Sequence, residues 1–156
     1  MMDLRDLYQD IILDHGQKPR NFRPQEHASH VAQGHNPLCG DRVTVYLTVD
    51  GDRISDVSFV GRGCAISTAS SSLMTEVLKD KTLDEAKQLF QSFHASVTGA
   101  EPPALSEDLE EDFDRLTPLG GVKAYPARVK CATLAWHAVE AALKSGGRPT
   151  EPVKTE

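Results

Sequence analysis

Arg42-Val43-Thr44-Val45-Tyr46-Leu47-Thr48-Val49-Asp50-Gly51-Asp52-Arg53-Ile54-Ser55-Asp56-Val57-Ser58-Phe59-Val60 carries the fold class of this chain. Val43, Val45, Leu47 and Val49 alternate with Arg42, Thr44, Tyr46 and Thr48, the period-two pattern of a strand with one buried face. Asp50-Gly51 is a hairpin-turn dipeptide, because both residues tolerate the positive φ that tight turns demand. Ile54 to Val60 then returns, with Val57 and Phe59 among its apolar residues, and an antiparallel hairpin follows. Upstream, residues 27–35 are read as a further short strand, making a three-stranded antiparallel sheet.

The flanks of the sheet read as helices. Residues 3–14 place Leu4, Leu7, Tyr8, Ile11 and Ile12 on one stripe, and Asp14-His15-Gly16 is predicted to stop that helix. Gln17 to Pro24 is a loop with two prolines. After Gly61-Arg62-Gly63 a helix is predicted over 64–79, with Ile66, Ala69, Leu73 and Val77 on one face. Thr82 to Glu85 has the form of a capping box opening a helix that carries Leu83, Ala86, Leu89, Phe90, Phe93 and Val97. Residues 99–105 are read as loop, Ser106 to Leu116 as a short acidic helix, and Thr117-Pro118-Leu119-Gly120-Gly121 as a break. The last helix spans 127–144 along Val129, Ala132, Trp136, Val139 and Leu143. Strands first and helices after describe an α+β fold: helices layered on a small antiparallel sheet. Residues 1–145 form one domain, and the polar, proline-containing 146–156 is expected to be a disordered tail.

Composition narrows the function. The chain has 156 residues, a net charge of -6 and no excess of basic residues, which argues against a nucleic-acid partner. No apolar run approaches the roughly 20 residues of a membrane span, and Met1-Met2-Asp3-Leu4-Arg5-Asp6 has no apolar signal region, so a cytoplasmic location without membrane partners is expected. In such a compartment three cysteines point to ligands or reactive thiols rather than disulfides.

Those cysteines lie at element boundaries: Cys39 in Asn36-Pro37-Leu38-Cys39-Gly40-Asp41, Cys64 in Gly61-Arg62-Gly63-Cys64-Ala65-Ile66-Ser67, and Cys131 in Arg128-Val129-Lys130-Cys131-Ala132. Cys64 at a helix N-terminus meets free N–H groups and the helix dipole, which favour a thiolate. Cys131 is read as lying in or near the first turn of its helix, with Arg128 and Lys130 close by. Gly40 lets Cys39 and Asp41 turn toward one centre. Three soft thiolates and one carboxylate suit zinc or iron. Spacing alone leaves two readings open, a shared site or separate structural thiols, with Asp41 as a turn residue in the second. His35 competes as a ligand with its reading as a solvated loop histidine. His15 reads as a helix-end residue, His94 and His137 as helix-surface residues, and Ser70–Ser72 as small residues packing on the sheet. Glu107 to Asp114 reads as a solvated acidic face or a contact for a basic partner. No Cys and His share a segment with catalytic spacing, so a cysteine hydrolase is set aside.

Asn36 to Asp41, Gly61 to Ser67, the run Ser70 to Glu76, Arg128 to Trp136 and the stretch from Tyr8 to Asn21 together resemble the U-type iron–sulfur cluster assembly proteins (IscU, NifU N-terminal and SufU types). The resemblance covers residues 4–144 and implies a SufE/IscU-like sheet packed by helices, with a metal site at one end. The chain is more similar to the SufU branch. The stretch from Gly99 to Gly121 looks like an insertion, Lys130 stands where the IscU branch has histidine, and Tyr125-Pro126-Ala127-Arg128 replaces that branch's chaperone-recognition motif, so no dedicated Hsp70-type chaperone is expected. The resemblance implies Zn2+ held by Cys39, Asp41, Cys64 and Cys131. It also implies persulfide sulfur accepted at Cys39 from a SufS-type cysteine desulfurase, with Arg128 and Lys130 available to steady the anionic sulfur and downstream cluster-assembly proteins as recipients. Such a protein is a sulfur relay rather than a free-standing enzyme. Two alternatives are a scaffold for a transient [2Fe–2S] cluster or iron on the same ligands, and a structural zinc module for protein binding.

Overall fold

A computed structural model describes residues 10–37, 40–101, 103–148 and 151–154. The elements are α1 (Asp10–Gln17), β1 (His30–Asn36), β2 (Asp41–Asp50), β3 (Arg53–Arg62), α2 (Ala65–Leu78), α3 (Leu83–Thr98), α4 (Glu110–Asp114), α5 (Pro126–Ser145) and β4 (Val153–Lys154), with 3-10 turns at Glu107–Leu109 and Thr117–Ala124. The strand order is β3-β2-β1-β4; the first three strands are antiparallel, and β4 runs parallel to β1. The α+β class is as expected, but the sheet has four strands instead of three. Val153 and Lys154 pair with Gly34 and His35, so this part of the expected disordered tail is an ordered edge strand. Two residues are too short to show an alternating pattern, and only the exposed edge of β1 creates the pairing.

The alternation in β2 becomes its two faces. Val43, Val45 and Leu47 are buried on the side covered by α5, while Arg42, Thr44, Tyr46 and Thr48 face the other way. Gly34 on β1 lies under α5: a Cβ there would stand 2.9 Å from Leu134 Cδ1, so glycine lets the helix sit close to the strand. Trp136 of α5 stacks on Phe93 of α3 at 4.7 Å and donates from Nε1 to Ser70 Oγ at 3.2 Å. Ser70 in turn donates to the carbonyl of Ala132. Two of the three serines thus serve neighbouring helices: Ser70 faces α5, and Ser72 faces α1. At helical spacing successive residues diverge by about 100°, so three adjacent serines cannot share one face.

The Thr82–Glu85 capping box is formed, with both reciprocal hydrogen bonds present. The predicted break at 117–121 is instead a 3-10 segment, and Leu109, Leu116, Leu119 and Val122 are all buried in the core. The residues between Gly99 and Gly121 are therefore built into the domain. Two glycines after a proline lower helix propensity, but burial of Leu119 and Val122 outweighs that local cost.

Helix α1 runs through Asp14-His15-Gly16 to Gln17, and positions 3–9 of the predicted stripe lie outside the described residues. Gly16 lies against α2, where a Cβ would be 3.3 Å from that of Ala65. His15 is buried, with Nδ1 2.7 Å from Ser72 Oγ and Nε2 3.7 Å from Glu76. The following segment is fastened down: Arg20 N–H donates to Ser72 Oγ at 2.8 Å, and Asn21, at φ 56°, donates to Thr75 Oγ1 at 3.0 Å.

Burial first, then the Arg20 guanidinium, holds His15 below its ordinary value, although Glu76 and Asp14 pull the other way. In the unfolded chain this ring protonates near 6.5, so below that pH the unfolded state binds the extra proton first and folding loses free energy. The loss stops growing once the folded ring also protonates. Burial, then His94, depresses His137 in the same direction. Chemical denaturation at pH 5.5 and 7.5 should therefore give the lower stability at acid pH, and His15→Gln should flatten that dependence. An unchanged difference in the variant would remove His15 as its source.

Candidate metal centre

Asp41 is the first residue of β2 and pairs with Asn36 across the β1–β2 connection. Strand alternation turns its side chain to the helix-covered side, where it is 1% exposed. A buried carboxylate needs partners. One is the Cys64 backbone N–H, which donates to Oδ1 at 3.0 Å. This contact depends on Gly63, because a Cβ there would lie 2.5 Å from Oδ1 and 2.9 Å from Cγ of Asp41. At Gly61 a Cβ would strike the carbonyl of Arg42. The two glycines before Cys64 thus serve β3 pairing and the seating of Asp41, a role that the Gly-Arg-Gly-Cys spelling suggested only as the end of a strand.

Cys64 is the N-cap of α2, extended at φ -71° and ψ 169°, and its Sγ accepts the Ser67 N–H at 3.4 Å. Cys131 projects from α5, 2% exposed, with Sγ 3.6 Å from the carbonyl of Ala127. Because α5 begins at Pro126, Cys131 is its sixth residue, just past the first turn and in keeping with a place in or near it. The proline, pre-set for the first helical position, starts the helix one residue earlier than the apolar stripe predicts. The helix dipole, strongest in the first turn, contributes correspondingly little at this thiol.

One oxygen of Asp41 and the sulfurs of Cys64 and Cys131 all lie within 4.8 Å of one another, and they form the one such group of three among the described residues. The Cys64 Sγ is 4.0 Å from Asp41 Oδ2. These separations are within side-chain adjustment of a tetrahedral zinc site, whose bonds of about 2.3 Å to sulfur set sulfurs about 3.8 Å apart. The protonation chemistry also fits a cation. The hydrogen bond from the Cys131 thiol and the N–H groups of Ser67 and Ile66 bring Cys64 down to about 6, against burial and the Asp41 charge. Cys131, which donates that hydrogen bond from a buried position beside Asp41, is driven far upward. Cys64 is therefore the readier thiolate of the pair, and a bound divalent ion would favour deprotonation of both.

The structure brings together Asp41, Cys64 and Cys131, so the turn-residue reading of Asp41 gives way to that of a buried, inward-facing carboxylate. Cys39 lies outside the described residues. His35 faces the open side of the sheet, opposite Arg42, and is not in the ligand group. Arg128 and Lys130 are half-buried on α5, with Arg128 one turn before Cys131 and hence on its face. His94 and His137 face each other across α3 and α5 with ring centroids 5.8 Å apart.

A helix-covered, largely antiparallel sheet that gathers two thiols and a carboxylate at one end makes this an α+β protein whose thiolate–carboxylate cluster is suited to a metal ion. The chain belongs to the NifU-like N-terminal domain family, which matches residues 7–132. It is 39% identical to the zinc-dependent sulfurtransferase SufU of Bacillus subtilis, over 93% of this chain and 96% of that protein. It is 40% identical to the iron–sulfur cluster assembly scaffold protein IscU of Streptococcus pyogenes, over 90% and 85% respectively. Among solved structures it superposes on a Fervidobacterium islandicum protein described as an iron–sulfur cluster assembly scaffold protein for the SUF system (FiSufU), with a TM-score of 0.79 and 36% identity, covering 90% of this chain and 99% of that one. The N-terminal part of a NifU-like protein from Brucella abortus gives a TM-score of 0.80 at 25% identity, covering 90% of this chain and 94% of that one. None of the described helices is long and apolar enough to cross a membrane.

Proposed function

We propose that this chain is a sulfur carrier of iron–sulfur cluster assembly, accepting persulfide sulfur at Cys39 from a SufS-type cysteine desulfurase. The observation that carries this reading is the convergence of Asp41, Cys64 and Cys131 within 4.8 Å. Cys39 is the natural fourth ligand, since two residues of chain hold its Cα within about 7 Å of that of Asp41. Zinc on these four residues would keep their thiols deprotonated at neutral pH. The transfer itself is thiol exchange. The Cys39 thiolate attacks the outer sulfur of the donor's persulfide; a new S–S bond forms, the donor's S–S bond breaks, and the donor cysteine leaves as thiolate. No oxidant or reductant is consumed. Arg128, on the Cys131 face of α5, and Lys130 supply positive charge for the anionic persulfide.

A test combines metal analysis of the purified chain with desulfurase turnover. One equivalent of zinc and a stimulated turnover are expected, together with a one-sulfur mass increase on the intact protein. Cys39→Ser should retain the fold and take up no sulfur; uptake at the wild-type level in that variant would end this role for Cys39. The scaffold reading is favoured by the similarity to the Streptococcus pyogenes protein, named as an assembly scaffold. It predicts a brown protein with visible cluster absorption, whereas the carrier is colourless. Lys130 before Cys131 and the core-forming stretch between Gly99 and Gly121 favour the carrier.

A further inference from the structure

Charge is balanced at one end of the open face of the sheet and unbalanced at the other. At the hairpin end Asp50 pairs with Arg53 and Asp56 with Arg23, whereas the end nearest the metal ligands carries one base from every strand. Arg62 of β3 pairs with Arg42 of β2, Arg42 pairs with His35 of β1, and His35 pairs with Lys154 of β4. Directly paired residues project to the same face, so the four form one cross-sheet row. The row is on the open side, because the neighbouring Asp41 and Val43 are buried inward. Arg42, Arg62 and Lys154 are exposed and His35 is half-buried. None of the four makes a side-chain hydrogen bond or ion pair among the described residues. Gln25 covers the middle of this face through Tyr46, Ser58 and Thr48 and leaves the row bare.

Like charges placed opposite one another across a sheet cost stability, so packing alone gives no reason for Arg42 to face Arg62. Three strand spacings make the row about 14 Å long, too long for a single small anion to touch throughout. It matches a line of carboxylates on a protein surface. The overall charge of -6 opposes a nucleic acid at the same place. The row also belongs to the strand ends that carry the ligands: Arg42 follows Asp41, and Arg62 precedes Cys64 by two residues.

We propose that the row Arg62–Arg42–His35–Lys154 is the docking contact for a carboxylate-bearing face of the partner protein that delivers sulfur, holding that partner at the ligand end of the sheet. The assignment of this partner rests on the carrier reading above. Docking by complementary charge raises the encounter rate and fixes orientation, and takes no part in the sulfur exchange itself.

The test uses the zinc-loaded full chain and the cysteine desulfurase of the same organism, measuring direct binding and turnover at low and high salt. The double variant Arg42→Glu/Arg62→Glu should raise both Kd and the KM for this chain by about tenfold or more, with kcat at saturation within about twofold and zinc content unchanged. Wild-type binding should weaken steeply with salt, and binding by the variant should not. Lys154→Glu, at the two-residue edge strand, should show a smaller shift of the same sign. Equal binding by wild type and double variant overturns the docking proposal and leaves the carrier reading standing. So does a loss of zinc or a fall in kcat with KM unchanged, because the residues would then support the site. Salt-sensitive binding lost in the variant, with no turnover stimulation by wild type, supports docking and overturns the carrier reading. No binding by the wild type overturns docking.

Discussion

Cys64→Ala should hold less than about one-tenth of an equivalent of zinc and should unfold at lower denaturant even after chelation, whereas Cys64→Ser should lose the metal but not the chelated-state stability. The two variants separate two roles of one sulfur. As the ligand proposed above, it is one of two sulfurs grouped with Asp41, and neither replacement supplies a thiolate. As the N-cap of α2 it accepts the Ser67 N–H. Serine is a preferred N-cap and alanine is not, a difference of about 1 kcal/mol. The metal contribution is larger and depends on concentration, because an ion that binds only the folded chain stabilises it by mass action. Inductively coupled plasma analysis gives the metal, and urea melts with and without chelator give the rest. If both variants kept a full equivalent of zinc, Cys64 would not be a ligand.

Gly63→Ala is expected to weaken metal binding by about 10- to 100-fold without removing any ligand, the range seen when a supporting group around a metal is disturbed. A Cβ 2.5 Å from Asp41 Oδ1 cannot be accommodated in place. Either the carboxylate rotates off the Cys64 N–H or the Gly63–Cys64 backbone withdraws, and both outcomes uncouple Asp41 from the Cys64 sulfur. Because Asp41 is 1% exposed, water does not replace the lost hydrogen bond, and the fold is destabilised as well. Competition with a chromophoric chelator reads the affinity directly. Gly120→Ala is the control: it lies away from the ligand group, and a Cβ there meets nothing within 4 Å among the described residues. An unchanged zinc affinity in Gly63→Ala would mean that Asp41 is not held against the metal by this contact.

The gathering of the ligands was legible in part. Gly-Cys at the start of a predicted helix located Cys64 at an N-cap, because capping is local and a few neighbouring residues decide it. Cys131 lies near the first turn of α5 for the same local reason, because Pro126 starts that helix within one residue of the place its apolar stripe predicts. His15 illustrates where local reading fails. Its position near a helix end suggested a dipole partner, yet its burial comes from Ser72 and Glu76, more than fifty residues along the chain. Thr117 to Gly121 had the composition of a break and became a 3-10 segment because Leu119 and Val122 reached a core that local composition does not reveal.

By itself the sequence determined what short-range physics controls: the alternating β2, a tight hairpin turn (its central residues are Gly51-Asp52, one position on from the expected Asp50-Gly51), the capping box at Thr82, and Cys64 at a helix N-terminus. These depend on dihedral preferences and on hydrogen bonds between residues a few positions apart. Tertiary structure alone decided that Asp41, Cys64 and Cys131, spread over three elements, share one pocket within 4.8 Å. It alone aligned Arg62, Arg42, His35 and Lys154 across four strands. Both are matters of register and packing, which are set by burying the inner face of the sheet under α2 and α5 and not by any local pattern.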